Sequence, residues 1–394
     1  MPTRNPEIVY VDADFKRRTV QLIRSDHKET NLALPSAPNS SLVEGVRFVV
    51  GVPIHFVRTS SGKEFALELP EKGDAAPLRG RSVVYLDQNM WSKLATVRQG
   101  GTCGNSEEDR HARMVIDLVH ENQIILPCSG GTLNETLHWT NQIARRNLGE
   151  TVLELSRGWQ MTSPLELRKE ELRGALREKF KPEDGSVAAP SPWTLGMKAI
   201  LTDRKEILDG DLLVALPEHT QLADAMTGAV ILTEMLLSPD PLSRLDPAGW
   251  CAHWQQLSDA LKVHPGPKDV RAKGALAGAL LDARLEIYRV ATEDGIDPGA
   301  AAEWLSTDLL VNYKMLPAFG LACDVICLKL LGGGKWQPND LSDIFYLVHA
   351  AGYADAVVGE RSFTSFTRNA QKRLGRQETA FKSFTELLKS QTIA

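Results

Sequence analysis

The apolar run at positions 83–86 constrains the fold of this chain more than any other part of its sequence. Its four residues have high strand propensity and no polar alternation, and they lead into Asp87 and then into a helical pattern from Trp91. A strand of this kind must be covered on both faces, which is typical of a central parallel strand. Functional groups gather where such strands end, so we expect Asp87 to face a ligand. Capping of the following helix explains Asp87 equally well.

The composition is that of an ordinary globular protein. The chain has 394 residues, of which 43% are hydrophobic and 24% charged, enough for two or three domains. A net charge of −5 argues against a protein that coats nucleic acid non-specifically, but it suits an enzyme whose acids hold cations. The five cysteines form no C-x-x-C pair, and no apolar signal region follows Met1, so we expect a reduced, cytoplasmic protein. No apolar run approaches membrane-spanning length, and we expect no membrane association.

Changes of pattern along the chain predict four segments. Residues 1–78 contain short β-branched or alternating runs, and we expect a small antiparallel β module that ends in a linker at residues 71–77. Residues 79–145 and 336–394 alternate strand and helix patterns, and we interpret them as two halves of one core. Residues 146–335 are helical by period, with Pro, Gly and Asp breaks. The expected fold class is α/β: a Rossmann-like parallel sheet with a large all-helical insertion and a small N-terminal antiparallel β module.

Acidic side chains recur at equivalent places in the two halves of this core. Asp87 follows the first strand, and Glu135 lies in the opening turns of the helix after a second apolar run. Asp343 lies near the start of a later helix, for which Asn339 is the expected N-cap, and Glu360 follows a last short strand. Four carboxylates brought together repel one another unless cations neutralise them. Oxygen ligands without His or Cys favour Mg²⁺ or Mn²⁺, whose natural reaction in such a site is phosphodiester hydrolysis.

The order of these residues resembles that of the PIN-domain nuclease family. The matching positions are Asp87 and Asn89 after the first strand, Glu135, Asp343, and Glu360 before Phe363. The resemblance covers about residues 81–145 and 336–370. It implies a metal-dependent endonuclease on a Rossmann-like parallel sheet, usually acting on single-stranded RNA, with these four acids as catalytic metal ligands. The family usually has Asp where this chain has Glu360, and Asp355 is the alternative last ligand.

Further residues near the acids are candidates for supporting roles. The resemblance implies that Asn89 orients a metal-bound water. Ser129 is either a helix cap or a hydrogen-bond partner of Asp87 or a phosphate, and Asp340 is either an outer member of the site or a favourable charge at a helix start. A basic stretch beside the site is either a phosphate-binding surface or a solvated helix face, and its residues are Arg361, Arg368, Lys372 and Arg373.

The sequence therefore predicts a Mg²⁺- or Mn²⁺-dependent endoribonuclease. Its expected substrate is RNA or single-stranded DNA, and one expected setting is a toxin or defence effector held in check by an inhibitory protein. Self-association into a homo-oligomer is compatible with this interpretation. An alternative from another class is a catalytically decayed PIN-like scaffold that binds a protein or a nucleic acid. A third is a small-molecule phosphohydrolase with the helical insertion as a lid.

Overall fold

The computed structural model describes residues 7–34, 42–69, 78–185, 189–196, 220–238 and 247–393. The linker predicted at residues 71–77 lies outside these ranges. The described residues form an α/β fold with one six-stranded antiparallel sheet, one four-stranded parallel sheet and many helices. At this level the predicted fold class is confirmed.

The antiparallel sheet contains the first six strands of the chain. These are β1 (Ile8–Asp14), β2 (Thr19–Arg24), β3 (Glu29–Ala33), β4 (Val43–Val49), β5 (Ile54–Thr59) and β6 (Glu64–Glu68). Their order is β3-β2-β1-β4-β5-β6, so the predicted antiparallel module is present in the described part of residues 1–78. All of β3 is exposed. The sequence did not predict it because an edge strand held by pairing alone needs no apolar alternation.

The apolar run at positions 83–86 forms one of the two inner strands of the parallel sheet. The remaining strands are β7 (Ser82–Leu86), β8 (Ile124–Ile125), β9 (Gln160–Met161), β10 (Trp193–Thr194), β11 (Ala356–Val358) and β12 (Ala380–Phe381). The parallel order is β12-β11-β7-β8. Val83 and Tyr85 join one hydrophobic cluster, whereas Val84 and Leu86 join another. The central strand is therefore buried on both faces, as its sequence predicted.

Helices cover both faces of this sheet. The β module and six helices contribute to the cluster around Val84 and Leu86: Gln88–Arg98, Ser106–His120, Gly130–Leu137, Gln142–Ser156, Thr220–Leu237 and Phe384–Lys389. The helices of the cluster around Val83 and Tyr85 are Pro164–Phe180, Ala248–Val263, Lys268–Asp282, Arg284–Glu293, Pro298–Ser306, Asp308–Asn312, Pro317–Gly332, the π-helical turn Asp343–Val348, and Arg361–Arg373. The short Pro338–Ser342 helix leads directly into the π-helical turn. The result is a three-layer arrangement with the sheet in the middle.

The segment at residues 146–335 differs from the predicted all-helical insertion. It contains β9 and β10, and Gln160 of β9 forms a parallel bridge with Cys128 of the core. The expected boundary after residue 145 falls inside the Gln142–Ser156 helix. Helical periodicity alone does not separate a helix of the core from a helix of an insertion, which explains both differences.

A buried carboxylate joins this segment to the second half of the core. Glu171, on the Pro164–Phe180 helix, accepts hydrogen bonds from Ala318 N at 2.7 Å and Phe319 N at 2.9 Å, which start the Pro317–Gly332 helix. The Tyr353 hydroxyl also donates to Glu171. These bonds cap a helix and bind three parts of the chain together.

The Pro317–Gly332 helix runs through the interior, with 12 of its 16 residues buried. None of the described helices alone has the length and apolar character needed to cross a membrane. Two consecutive helical segments, Asp308–Met315 and Pro317–Gly332, have the required length and apolar character only when taken together, and they are bent by 108° relative to each other.

Gly352 offers a test of this packing. A Cβ at Gly352 would lie 2.8 Å from the N and Cα atoms of Ala318, which are backbone atoms and cannot rotate away. We expect Gly352→Ala to lower the free energy of unfolding by about 1–3 kcal/mol, measured by chemical denaturation. Gly334→Ala is the matched control, because its Cβ would meet nothing within 4 Å. Equal stability of the two variants would contradict the close approach.

Candidate carboxylate site

The strand order creates a crevice at the carboxyl edge of the parallel sheet. The chain continues from β7 to β8 on one side and from β11 to β12 on the other. Such a reversal leaves an opening outside the strand ends, where α/β proteins commonly bind ligands. Asp87 directly follows β7 and Glu360 lies two residues after β11. A hydrogen bond of 2.9 Å from Asp87 N to Val358 O fixes the Asp87 backbone beside the end of β11.

Three of the four predicted acids line one small cavity in this crevice. The cavity has a volume of about 10 Å³, which is room for about one water molecule. Its acidic residues are Asp87, Glu135 and Asp343, and the rest of its lining is Tyr85, Gln88, Gly131, Thr132, Ser342, Tyr346 and Leu347. The structure thus brings together carboxylates from both halves of the predicted core.

The three acids of the cavity are positioned by different local contacts. Asp87 is the N-cap of the Gln88–Arg98 helix and accepts from Gln88 N at 2.8 Å, so it both caps a helix and lines the cavity. Glu135, on the Gly130–Leu137 helix, accepts from the Ser342 hydroxyl at 3.2 Å. Asp343 begins the π-helical turn. Such turns are rare and are often found at functional sites.

Tyr346 forms a wall of the cavity and explains the neighbouring glycine pair. A Cβ at Gly131 would lie 2.6 Å from the Tyr346 ring, and a Cβ at Gly130 would lie 2.8 Å from its hydroxyl. Only glycine allows this aromatic ring to approach the start of the Gly130–Leu137 helix so closely. The two glycines therefore serve packing next to the acids.

Glu360 lies just outside the cavity. It is exposed, and its Oε1 accepts a hydrogen bond of 2.6 Å from Asn89 Nδ2. Asn89 thus orients the fourth acid directly. Both residues also line a wide neighbouring groove of about 640 Å³.

Burial and mutual repulsion disturb the acidity of the cluster. Burial, together with the nearby charges of Asp87, Glu360 and Glu135, raises the pKa of Asp343 to about 8. The pKa of Asp87 is raised to about 6, mainly by burial and also by the charge of Glu360, against the opposing effect of the hydrogen bond from Gln88 N. Without a cation, Asp343 therefore holds a proton at neutral pH.

The cluster fits a hard cation in its chemistry, but its side chains are not gathered around one point. In the described ranges, no three His, Cys, Asp or Glu side chains lie close enough to hold a metal ion together. Asp87, Glu135 and Glu360 each accept a hydrogen bond from a different neighbour. The raised pKa values and the oxygen-only donor set nevertheless suit Mg²⁺ or Mn²⁺. Joint binding of a cation would require these side chains to rotate from their present partners.

Asp355 does not belong to the cluster, and its assignment as a metal ligand is corrected. It precedes β11, and its Oδ2 accepts a hydrogen bond of 2.7 Å from Val83 N. Because β7 and β11 are parallel, this contact lies at the amino edge of the sheet, opposite Asp87. Asp355 secures the register of the two strands.

Ser129 also has a structural role. It is the N-cap of the Gly130–Leu137 helix and accepts from Thr132 N at 3.2 Å. Its hydroxyl pairs with that of Tyr85 at 2.8 Å, not with Asp87. The helix-cap interpretation of Ser129 is therefore the one that holds.

Asp340 stabilises the start of the acid-bearing helix. Its Oδ2 accepts from Gln337 N at 2.5 Å, completing a capping box in which Gln337, and not Asn339, is the N-cap. Asp340 also pairs with Lys329 at 3.0 Å in a buried setting. These bonds satisfy the carboxylate, so we reassign Asp340 to helix capping.

The predicted basic stretch reaches the site only at its first residue. Arg361 lies beside Glu360 on the wide groove. Arg368 pairs with Glu386 at 2.8 Å, and Arg373 pairs with Asp324 at 3.4 Å. Lys372 lies 11 residues farther along the same helix, about 16 Å away along its axis. We therefore remove Arg368, Lys372 and Arg373 from the predicted phosphate-binding surface.

The sequence analysis did not predict three residues that line the site: Gln88, Tyr346 and Lys382. Lys382 directly follows β12 and lines the wide groove. A polar residue directly after a strand is the signal that predicts Asp87, and Lys382 has the same position after the two-residue strand β12. Gln88 and Tyr346 have no such signal, because their burial at the cavity depends on packing between distant segments.

Comparison with known proteins finds no match to this chain among protein-family models, curated proteins or solved structures.

The raised pKa of Asp343 predicts a pH-dependent stability. Between its ordinary value of 3.8 and about 8, the folded state binds this proton more tightly than the unfolded state does. Its contribution to stability is therefore full below about pH 4 and is lost as the pH rises through about 8. In calorimetry with a chelator, we expect Asp343→Asn to stabilise the protein much more at pH 8.5 than at pH 5, because the loss of stability accumulates as the pH rises from about 4 to about 8.

Asp269→Asn, at an exposed carboxylate on another helix, is the control and should show no such difference. An equal effect of Asp343→Asn at both pH values would contradict the raised pKa.

Proposed function

We propose that this chain is a Mg²⁺- or Mn²⁺-dependent, PIN-like endonuclease that hydrolyses phosphodiester bonds, with single-stranded RNA as its main substrate. The observation that carries the proposal is the cavity shared by Asp87, Glu135 and Asp343 at the carboxyl edge of the sheet. The raised pKa of Asp343 also supports it, because a bound cation would offset the burial and the repulsion between carboxylates that raise this pKa.

The roles of the residues follow from their positions. Asp87 and Asp343 would hold the cation, with Glu135 and Glu360 next to them. A bound Mg²⁺ or Mn²⁺ lowers the pKa of a coordinated water and stabilises the displaced oxygen. Asn89 keeps Glu360 turned toward the site through their 2.6 Å hydrogen bond.

A substrate of this site has to lie in the groove beside the acids and not in the cavity itself. The acid-lined cavity of about 10 Å³ has no room for a sugar or a base, whereas pockets for small ligands usually exceed about 300 Å³. The groove of about 640 Å³ beside it is open to solvent, and its size lies within the range of small-ligand sites as well. Arg361 and Lys382 line this groove and form no ion pair within the described ranges, so both cations are available for phosphates.

A decayed PIN-like scaffold that binds a partner is the second candidate function. The separation of the acids favours this candidate, because no three carboxylates of the described residues lie close enough to hold a metal ion together. The two candidates differ in one respect that an experiment can measure, which is turnover of nucleic acid.

Substitution of Asp87 tests the endonuclease. We expect Asp87→Asn to lower cleavage of single-stranded RNA in Mn²⁺ by about 100-fold or more, because several kcal/mol of transition-state stabilisation depend on the cation. The rise in Tm caused by Mn²⁺ should shrink in the same variant.

Asp355→Asn is the matched control for this experiment. It makes the same chemical change at the opposite edge of the sheet and leaves an oxygen to accept from Val83 N. Absence of cleavage of RNA and DNA by the unmodified chain with either metal would refute the endonuclease and leave the scaffold.

The groove predicts how substrate affinity responds to charge. We expect Lys382→Ala and Arg361→Ala each to raise KM for oligonucleotides about 3- to 10-fold, since each removes one phosphate contact, with little change in kcat. Fluorescence-based cleavage at several salt concentrations measures both constants. Lys372→Ala, on the same helix as Arg361 but about 16 Å along it, serves as control. The same loss in all three variants would place the substrate elsewhere.

A further inference from the structure

Gln88 presents a buried acceptor that nothing in the described structure satisfies. The residue is 5% exposed and lines the cavity with Asp87, Glu135 and Asp343. Its Oε1 is fully buried and has no hydrogen-bond partner among the described residues. Most buried polar groups are paired, so an orphan acceptor at a cavity indicates a missing donor.

The orientation of the Gln88 amide follows from its neighbour Thr136. Gln88 Nε2 lies 3.0 Å from Thr136 Oγ1, and that hydroxyl donates its single proton to Thr132 O at 2.7 Å. Thr136 Oγ1 can therefore only accept, and the Gln88 atom next to it must be the nitrogen donor. An exchanged amide would place two acceptors against each other. Oε1 is consequently the atom left without a partner.

We infer that Gln88 positions the water that attacks the phosphodiester: its Oε1 accepts a hydrogen bond from a water molecule in the cavity of Asp87, Glu135 and Asp343. The cavity of about 10 Å³ has room for about one water, and a water can donate to Oε1. The nucleophilic role of this water rests on the proposed function. Its binding to Gln88 does not, because the orphan acceptor is a property of the folded chain alone.

A water held in this way would be oriented through both of its O–H bonds. Gln88 Oε1 accepts one O–H bond, and a carboxylate of the cluster accepts the other. As the water oxygen forms its bond to phosphorus, the carboxylate takes the second proton. The phosphorus–oxygen ester bond breaks, and the leaving oxygen takes a proton from solvent. Gln88 transfers no proton and fixes the direction of the attacking lone pair.

Paired substitutions at Gln88 and Thr136 test this inference. Gln88→Met keeps the approximate length and removes the acceptor, whereas Thr136→Val leaves Gln88 intact and removes what holds its amide. Thr136 does not line the cavity, and its hydroxyl contacts two residues that do, Gln88 and Thr132; the double variant shows whether its effect passes through Gln88. We expect each variant to lower kcat about 10- to 100-fold with little change in KM, and the double variant to be no slower than the slower single.

Thr136→Ser restores the hydroxyl and should recover activity relative to Thr136→Val. A purely structural role would lower Tm in these variants without a change in kcat. High-resolution crystal structures supply a readout that needs no activity: a water about 2.7–3.2 Å from Gln88 Oε1, lost in Gln88→Met.

The outcomes separate this inference from the proposed function. If the unmodified chain cleaves RNA and Gln88→Met cleaves it equally fast, the inference is overturned and the nuclease stands. If the chain cleaves no nucleic acid, the nuclease fails, and the crystal structures decide the water site. An ordered water on Oε1 that disappears in Gln88→Met upholds the site, and a dry Oε1 in the unmodified chain overturns it.

Discussion

The pairing of β7 with β11 is the constraint on which the rest of the structure depends. It joins Val84 to Ala356 and Leu86 to Val358, residues 272 positions apart in the chain. The entropy lost on closing a loop rises only with the logarithm of its length, by about 0.6 kcal/mol for each doubling, so a long excursion between two paired strands is tolerated. Once the register is set, Asp87 and Gly359 lie level at the carboxyl edge. Without this pair there is no crevice for the acids.

A close approach of backbone at Gly359 completes the arrangement. A Cβ at that position would lie 2.2 Å from Leu347 Cδ1 and 3.4 Å from the Cβ of Asp87. The π-helical turn that carries Asp343 and Leu347 can therefore pack directly over the ends of both central strands. Two neighbouring acids on this helical stretch differ in whether a basic side chain pairs with them. Asp340 is neutralised by Lys329 at 3.0 Å, whereas Asp343 has no basic partner in the described ranges and a raised pKa. A buried carboxyl group with a strongly raised pKa and no basic partner is expected at functional sites more than at structural ones.

The sequence could predict the parts of this site that depend on local pattern. The buried central strand, Asp87 at its end, and the helices bearing Glu135 and Asp343 all follow from residue types and spacing. It could also have separated Glu360 from Asp355, because only the residue after a parallel strand reaches the carboxyl edge. Two predictions failed because they took nearness in sequence for nearness in space. The Arg361–Arg373 helix runs away from the site, and the Gln142–Ser156 helix crosses the expected domain boundary. Burial of Gln88 depends on Thr136, 48 residues away, and no local pattern predicts it.

The π-helical turn Asp343–Val348 carries a consequence for how this site can be lost. A π turn contains one residue more than the α-helical turn that it interrupts. Deletion of a single codon in this stretch would convert it to a regular α-helix and rotate Asp343 by about 100° relative to the residues beyond the deletion. Ile344, Leu347 and Val348 of this turn belong to the hydrophobic cluster around Val83 and Tyr85, so the same deletion would also change their packing. The extra residue therefore ties the position of Asp343 to the packing of the core, and a chain that lost it would lose the acid cluster and part of its hydrophobic packing in one genetic step.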